Sequence, residues 1–339
     1  MKILIIGSDY KWSIERFFVS HFKELDCEVK VFPAQNLFFD YYYNSNFQKV
    51  LFKLGISSIV KKINNHAIDF VDKFSPDIIW IFKGMEILPQ TLVFWRSKGI
   101  KLVNYNPDNP FIFSDRGSGN LNITNSINLY DCHFTYNLEI KNVLEVKHKV
   151  RTVLLPFACD VSQILYNECA NEIEILKVCF LGNPDKTRAS FIQQLADNGI
   201  EIDVYGNDWS KFINHKNITL HPPVYGIEQW KVLRKYRVQI NLMRIHNLDS
   251  HNMRSFEIPG IGGIQVAPFT DEHAGFFIDN QEIFLFHDID DCVKKIDYLL
   301  TLSIAEAQQL RMNARNVVIN KKHTYKDRSE HVISVLRSL

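Results

Sequence analysis

The chain has 339 residues, of which 46% are hydrophobic and 23% are charged, and its net charge is +1. These values are typical of a folded globular protein and exclude a disordered chain. The near-zero net charge disfavours nucleic acid as a partner, and the length is more natural for two domains than for one.

The cysteines and the apolar runs indicate a cytoplasmic protein. The six cysteines form no C-x-x-C pair, and Cys179 lies in an apolar run, so we expect buried, reduced thiols. The apolar run at the N-terminus is too short for a secretory signal. No apolar run approaches the ~20 residues that a membrane-spanning helix requires.

Residues 1–160 are predicted to form a first Rossmann-like domain. An apolar run at 2–7, helical spacing at 13–25 and a second apolar run at 27–32 indicate a βαβ unit. The turn after the first predicted strand contains one glycine, Gly7, whereas a dinucleotide-binding fingerprint needs three. A Rossmann dehydrogenase is therefore disfavoured. Further elements are predicted as strands at 77–82, 101–105, 130–136 and 150–155 and as helices at 88–97 and 139–146.

Residues 47–74 have helical spacing with lysines between the apolar positions, namely Lys49, Lys53, Lys61 and Lys62. One interpretation is a basic amphipathic surface that contacts the inner face of a membrane peripherally. The other is a pair of core helices with a solvated lysine face, which we prefer because such faces are common.

Asp108 follows the strand predicted at 101–105, in the sequence Asn-Pro-Asp-Asn-Pro. Binding and catalytic groups of open α/β sheets lie at the carboxyl ends of the strands, so Asp108 is a candidate catalytic residue. An aspartate between two prolines also favours a turn. Both interpretations remain open.

After a polar linker predicted at 161–174, residues 175–325 alternate strands and helices again and predict a second doubly wound domain. Strands are predicted at 176–181, 202–205, 218–221, 238–242, 264–269 and 283–286. Helices are predicted at 189–198, 226–236 and 291–302, followed by a long helical tail. A turn at 182–188 carries Asn183, Lys186 and Arg188 at the carboxyl end of the first of these strands.

The most informative stretch is residues 241–270, NLMRIHNLDSHNMRSFEIPGIGGIQVAPFT. Its polar loop contains His246 and Asp249, and Asn252 is a plausible N-cap for a helix over 253–259. In that helix Arg254 and Glu257 share one face, and the helix N-terminus suits an anionic ligand. Glycines end the helix before the next strand, at Gly260, Gly262 and Gly263.

This pattern resembles the C-terminal half of GT-B glycosyltransferases, especially the family-4-like group that includes spore-maturation-type proteins. Three further segments occur in the expected order: LPFACD at 155–160, FLGNPDKTR at 180–188 and VYGNDW at 204–209. The resemblance implies two Rossmann-like domains facing across a cleft. It also implies a nucleotide-sugar donor on the second domain, an acceptor at the first, and a last helix over 326–339 that crosses back to the first domain.

The resemblance also implies roles for individual residues. Glu257 would accept hydrogen bonds from the ribose of the donor, and Asp249 would hold the transferred sugar in place of a glutamate. Cations suit the departing phosphate, and Arg254 is the strongest candidate, followed by Arg188 and Lys186. The other donor-binding candidates are Asn183, Asn252, His251, Gly262 and Gly263, with His246 in the same loop.

The two-carboxylate pattern implies retention of the anomeric configuration, whereas Asp108 as a base would give inversion. The resemblance leaves three kinds of acceptor open, namely a glycan, a lipid-linked molecule and a protein. A D-x-D sequence at Asp288 and Asp290 precedes a predicted helix, so we interpret it as a cap and expect no metal requirement. The rival functions are a sugar-nucleotide epimerase or phosphorylase of the same fold and a non-catalytic binding module.

Overall fold

A computed structural model describes residues 1–113, 119–244 and 249–339. The chain divides into two compact units. The first consists of Met1–Pro156 together with Tyr325–Leu339, and the second consists of Phe157–Thr324.

The first unit is built on a parallel sheet of six strands with the order β2-β1-β3-β4-β5-β6. The strands are β1 (Lys2–Ile6), β2 (Glu28–Phe32), β3 (Ile78–Phe82), β4 (Lys101–Asn106), β5 (Cys132–Thr135) and β6 (Thr152–Leu154). All five residues of β3 are buried. This burial on both faces explains why the central strands are continuous apolar runs.

Helices cover both faces of this sheet. They are α1 (Ile14–Glu24), α2 (Ala34–Asn44), α3 (Asn46–Lys53), α4 (Ile59–Phe74), α5 (Pro89–Ser97), α6 (Leu121–Ser126) and α7 (Leu138–Lys147). Ile79 and Ile81 form a core with Trp95 of α5, while Trp80 points to the other face and meets Phe18 of α1 at 4.8 Å between ring centroids. The opposite directions of neighbouring side chains along a strand therefore supply one core on each face.

The second unit repeats this plan with the strand order β12-β11-β10-β7-β8-β9, again all parallel. The strands are β7 (Ile175–Leu181), β8 (Ile202–Tyr205), β9 (Ile218–His221), β10 (Tyr236–Ile240), β11 (Gln265–Pro268) and β12 (Phe284–Phe286). The helices are α8 (Gln163–Ala170), α9 (Lys186–Asp197), α10 (Ile227–Lys235), α11 (Arg254–Gly260), α12 (Asp271–Phe276), α13 (Ile289–Thr301) and α14 (Ile304–Asn320).

Helices also lie on both faces of the second sheet. Val178 and Phe180 of β7 pack in one core with residues of α9 and α13. On the other face, the side chain of Gln239 in β10 donates to the carbonyl of Val232 in α10 at 2.7 Å. The prediction of two doubly wound, Rossmann-like domains is confirmed.

The last helix, α15 (Tyr325–Leu336), belongs to the first unit. It packs on α1, where the ring of Tyr325 stacks on Phe17 with 4.8 Å between centroids and meets Phe18 edge-on at 5.4 Å. Arg328 Nε donates to the carbonyl of Pro156 at 3.2 Å. The predicted helix over 326–339 therefore begins one residue earlier, at a tyrosine that is fully buried.

Residues 161–174 differ from the predicted linker because α8 lies within them. This helix packs on α10, and the guanidinium of Arg315 lies 4.0 Å from the ring centroid of Tyr166. Its polar residues Gln163, Asn167 and Glu168 face solvent, whereas Cys169 is fully buried, so the stretch is a helix of the second unit although half of its residues are those of a connection.

Three smaller predictions concern cysteines, a helix cap and membrane spans. All six cysteines are buried and none forms a disulfide, as expected. The side chain of Asp288 accepts from the Asp291 N–H at 2.8 Å and caps α13, which confirms the capping interpretation of the D-x-D sequence. Among the helices described, none has the length and apolar character needed to cross a bilayer.

Candidate active site

The carboxyl ends of β7 and β10, together with the start of α11, carry most of the residues that the sequence singled out. Arg254 and Glu257 lie one turn apart on α11 and form an ion pair, as their shared helix face predicted. The side chain of Glu257 is 4% exposed and that of Arg254 is 25% exposed. The carboxylate is therefore held at the rim of the buried sheet edge, with a cation beside it.

Arg188 joins this cluster from the first turn of α9. Its guanidinium donates to the carbonyl of Leu242, beyond the end of β10, at 2.7 Å and to the carbonyl of Asn183 at 3.2 Å. Burial, and then the positive charges of Arg244 and Arg254, lower the pKa of Arg188 to about 10. Arg188 therefore stays protonated at neutral pH, with Asp185 Oδ2 3.6 Å from its Nε favouring the charge and the cations Arg244 and Arg254 opposing it.

Arg244 was not predicted as a site residue. Arg244 lies four residues beyond the last residue of β10 and is exposed to solvent. Its closeness to the end of a predicted strand is the feature of the sequence that could have indicated it. Strand ends in open α/β sheets collect ligand-binding groups, and the same reasoning selected Asp108 in the first domain.

A chain of hydrogen bonds positions the start of α11. Asn252 Nδ2 donates to Asn241 Oδ1 at 2.8 Å, and Asn252 Oδ1 accepts from the N–H of Ser255 at 3.1 Å. The hydroxyl of Ser255 lies 2.8 Å from His273 Nε2, and His273 Nδ1 lies 3.0 Å from the carbonyl oxygen of Pro268. These contacts join the loop and α11 to the ends of β10 and β11.

The side chain of Asn252 accepts from the N–H three residues later, as a cap does, but α11 begins at Arg254 and its N-cap position is Met253, one residue later than predicted. The interaction is reciprocal, because the N–H of Asn252 also donates to Ser255 Oγ at 3.1 Å. The side-chain nitrogen and oxygen of Asn252 therefore both have hydrogen-bond partners within the protein. The structure therefore gives Asn252 a role in positioning α11.

His251 does not fit the predicted role of contacting donor or acceptor. It is fully buried, its Nδ1 lies 2.6 Å from Glu272 Oε2, and its Nε2 accepts from the N–H of Phe157 at 3.2 Å. A backbone N–H can only donate, so Nε2 carries no proton and Nδ1 donates to the carboxylate. His251 is a packed core histidine, and its predicted ligand role is corrected.

Gly262 and Gly263 are likewise corrected from donor-binding to packing positions. A β-carbon at Gly263 would lie 2.6 Å from the carbonyl oxygen of Leu233 and 2.8 Å from Ile258 Cγ2. Gly262 has φ +77°, which favours glycine, and its carbonyl accepts from Arg311 at 3.0 Å. The glycines let the end of α11 approach α10 closely, and protein atoms fill the space beside them.

The remaining candidates of the second domain are exposed. Lys186 is the first residue of α9, rather than part of a turn, because Asp185 caps that helix by accepting from the Arg188 N–H at 2.9 Å. Asn183 accepts a hydrogen bond from the N–H of Asn207 at 3.3 Å and so ties the loops after β7 and β8 together. Asp249 lies in an exposed turn, and His246 lies outside the described residues.

In the first unit, Asp108 forms an ion pair with Lys83, with 2.8 Å between Nζ and Oδ2. Lys83 follows β3 and Asp108 follows β4, so the pair lies at the carboxyl edge of the first sheet. The N–H of Asp108 also donates to Asn106 Oδ1 at 3.0 Å, in the turn that the prolines predicted. Lys83 was not predicted as a partner.

In the described parts of the chain, no group of three or more His, Cys, Asp or Glu side chains could hold a metal ion.

Comparisons with known proteins agree with this architecture. Residues 187–334, which include α11 and its ion pair, match the family described as "Glycosyl transferase-like". A comparison with curated proteins gives no match.

Solved structures share the fold over the whole chain. The sucrose-phosphate synthase of Thermosynechococcus elongatus is 12% identical, with a TM-score of 0.68 and coverage of 100% of this chain and 98% of that one. The UDP-forming α,α-trehalose-phosphate synthase of Burkholderia vietnamiensis is 11% identical, with a TM-score of 0.68 and full coverage of both chains. The UDP-GlcNAc 2-epimerase of Neisseria meningitidis, bound to UDP-GlcNAc, is 11% identical with full coverage of both chains and a lower TM-score of 0.58. The predicted GT-B fold of two Rossmann-like domains is confirmed over the whole chain, and residues 187–334 match a glycosyltransferase-like family.

Proposed function

We propose that this protein is a GT-B glycosyltransferase that takes its sugar from a nucleoside diphosphate donor, with UDP the first choice, and that it binds this donor on the second domain. UDP is favoured because the similar trehalose-phosphate synthase is UDP-forming and the similar epimerase was solved with UDP-GlcNAc. The observation that carries the proposal is the cluster of Arg188, Arg244 and Arg254 at the carboxyl edge of the sheet.

A guanidinium on which two further arginines act, as Arg244 and Arg254 act on Arg188, suits a diphosphate. Each guanidinium can donate two parallel hydrogen bonds to phosphate oxygens, and bound phosphate removes the repulsion between the cations. The departing diphosphate gains negative charge as the bond to the sugar breaks, so fixed cations stabilise the transition state more than the ground state. Lys186 and Asn183, both exposed beside this cluster, would supply further donors to the phosphates.

Glu257 would accept hydrogen bonds from the ribose hydroxyls, a task that suits an acceptor-only carboxylate. Its partner Arg254 lies on the exposed side of the ion pair and would turn its guanidinium toward the phosphates when the donor binds. Asp249, exposed in the turn before α11, would hold hydroxyl groups of the transferred sugar.

In the reaction, the bond between the anomeric carbon and the diphosphate oxygen breaks, and the acceptor oxygen forms a new bond to that carbon. We propose retention, with the acceptor proton passing to the departing phosphate oxygen on the same face. No metal takes part in this scheme, because arginines balance the charge of the leaving group. Asp108 as the base would instead give inversion, and proton NMR of the product's anomeric centre distinguishes the two outcomes.

A thermal-shift panel of UDP-, GDP-, CMP- and dTDP-sugars tests the donor. A ligand at 100 times its dissociation constant should stabilise the protein by about 2.7 kcal/mol. Transfer of the sugar to an acceptor, with release of the nucleotide, is the expected reaction. An epimerised donor with no transfer would favour the epimerase, and binding with no reaction would favour the non-catalytic module.

For location and acceptor we propose a cytoplasmic enzyme of polysaccharide biosynthesis with peripheral membrane contact through residues 47–74. Support comes from α3, which buries none of its residues and carries Lys49 and Lys53 among apolar side chains. Flotation with liposomes should increase with the fraction of anionic lipid. Flotation that does not depend on anionic lipid would reject the membrane contact.

A further inference from the structure

The first unit contains a groove of about 560 Å³ between α2, α3 and the loop after β3. Five aromatic side chains line it: Phe38, Phe39, Tyr42, Tyr43 and Phe52. Four are half-buried and Tyr43 is 66% exposed. The rings support one another, since Phe38 and Phe52 have centroids 4.9 Å apart. A concave, mostly apolar surface of this size is typical of a ligand site.

Helix α3 extends this apolar surface beyond the groove. Phe47, Val50 and Leu54 follow the helical spacing of three and four residues, and they are 69%, 50% and 67% exposed. Ile56, just after the helix, is 67% exposed. A contiguous exposed apolar patch of this kind marks a surface that contacts a partner or a membrane.

The charge of this region is one-sided. Residues 41–68 contain four lysines and no aspartate or glutamate, although the whole chain has a net charge of only +1. Lys53 lines the groove, and Lys49 lies 5.2 Å from the ring centroid of Tyr43. A ligand that is both apolar and anionic complements such a surface.

Polar groups also reach the groove from the carboxyl edge of the first sheet. Glu86 and Asn120 line it, and the side chain of Asn120 is held by a hydrogen bond of 2.9 Å to the carbonyl of Met85. Burial raises the pKa of Glu86 to about 7, with the positive charge of Lys83 acting against the rise. Lys83 also pairs with Asp108, so the groove lies close to the candidate residues of the first domain.

We propose that this groove binds the acceptor, and that the acceptor is a glycan carried on a phosphorylated lipid. The apolar chain lies along the aromatic wall and the exposed face of α3, the phosphate lies beside Lys53, and sugar hydroxyls meet Glu86. This inference rests on the proposed function, since it names the acceptor of that glycosyltransferase. A free soluble glycan would use the carboxylate and the rings but would leave the lysines and the exposed apolar face of α3 without a role.

Binding of farnesyl phosphate to the full chain tests the proposal, measured by titration calorimetry below the concentration at which the probe forms micelles. Farnesol lacks the phosphate and maltose lacks the chain, so the two compounds separate the contributions. We expect farnesyl phosphate to bind, farnesol to bind about tenfold more weakly, and maltose not to displace farnesyl phosphate.

Two variants and two matched controls locate the site. Tyr43→Ala and Lys53→Glu should each weaken farnesyl phosphate binding about tenfold, whereas the exposed controls Tyr298→Ala and Lys216→Glu should not. Thermal stabilisation by UDP should be the same in all four variants. That measurement reports folding and donor binding, so failure of the acceptor groove is distinguishable from failure of the proposed donor site.

The proposal is overturned if farnesyl phosphate does not bind, or if Tyr43→Ala and Lys53→Glu bind it like the wild type. An equal loss in Lys216→Glu and Lys53→Glu would show general attraction to positive charge and would also overturn it. Displacement of farnesyl phosphate by maltose would identify a site for soluble glycan in place of a lipid-linked one.

Discussion

The hydroxyl of Ser255 and Nε2 of His273 lie 2.8 Å apart and form a buried hydrogen bond. The other ring nitrogen of His273 faces the carbonyl of Pro268, which can only accept, so Nδ1 carries the proton and Nε2 accepts from Ser255. This bond fixes α11 to the end of β11. The neutral form of one imidazole thus holds the helix that carries Arg254 and Glu257.

Acid should weaken this connection. Burial lowers the pKa of His273 to about 4, whereas an unfolded histidine has a pKa near 6.5. As the pH falls below 6.5 the unfolded chain binds the proton first, so stability is fully present above 6.5 and is lost between 6.5 and 4. Between pH 7 and pH 5 this histidine should cost about 2 kcal/mol of stability.

Urea unfolding of the wild type and of His273→Gln at both pH values measures this contribution. The variant should be less stable than the wild type at pH 7, and the difference should shrink by about 2 kcal/mol at pH 5 because glutamine does not titrate. His133, whose pKa burial also lowers to about 4, is unchanged in both proteins and cancels in the comparison. An equal pH dependence in the two proteins would contradict the assignment.

Replacing Arg254 by alanine should reduce kcat by about 10²–10³-fold, because a cation that stabilises the departing phosphate acts mainly in the transition state. Arg254→Lys should recover little of this, since an ammonium lacks the planar pair of donors. Steady-state transfer assays give the values. The control Arg337→Ala removes an exposed arginine of the first unit and should leave kcat unchanged.

Glu257→Gln should act mainly on donor binding. Loss of a charged acceptor for the ribose hydroxyls should lower kcat/KM about 10–100-fold. A sugar donor whose nucleoside lacks the ribose hydroxyls should be used equally poorly by the wild type and the variant. If Glu257→Gln and the exposed control Glu330→Gln have the same kcat/KM, Glu257 has no part in the donor site.

Two glycine substitutions test how α11 is seated. Gly263→Ala should destabilise the protein by about 1–3 kcal/mol, because its β-carbon would approach the carbonyl oxygen of Leu233 to 2.6 Å. Gly275→Ala, in α12, meets no atom within 4 Å and should stabilise by about 0.4–1 kcal/mol. Thermal unfolding of both variants measures the difference, and opposite signs are the expected result.

Chelation should leave activity intact. Transfer rates measured with excess EDTA should equal those with magnesium, since arginines are proposed to balance the phosphate charge. Asp288→Ala should remove the cap of α13 and cost about 1 kcal/mol of stability while kcat is retained. Loss of activity in EDTA, restored by a divalent ion, would contradict metal independence.

Much of the architecture could be predicted from sequence, because buried parallel strands are continuous apolar runs. In the described residues, the twelve strands lie within a few residues of the predicted ones, and buried strands such as β3 coincide with apolar runs. Helix α2 was missed because its aromatic residues are only half-buried, so no clear apolar face identified it. Helix α8 was missed for a different reason. Its polar residues are typical of a linker, although Tyr166 of the same helix packs beneath the guanidinium of Arg315.

The site was predictable only where the decisive interactions are local. The pair Arg254 and Glu257 follows from helical spacing, and the hydrogen bond from the Ser255 N–H to Asn252 follows from the residue type of Asn252. The partners Arg244, Ser255, His273 and Lys83 depend on which strands are neighbours, and sequence order does not give this information. His251 illustrates the converse, since a polar loop residue turned inward to meet Glu272, which lies 21 positions later.

Helix α15 has a consequence for how the protein is made. The first unit needs Tyr325 to cover Phe17 and Phe18, yet the ribosome translates all of Phe157–Thr324 before it reaches that tyrosine. The aromatic side chains of α1 in the nascent first domain therefore stay uncovered while the second domain is translated and folds. The later domain can be complete before the earlier one, and aggregation or chaperone binding during synthesis should be directed at α1.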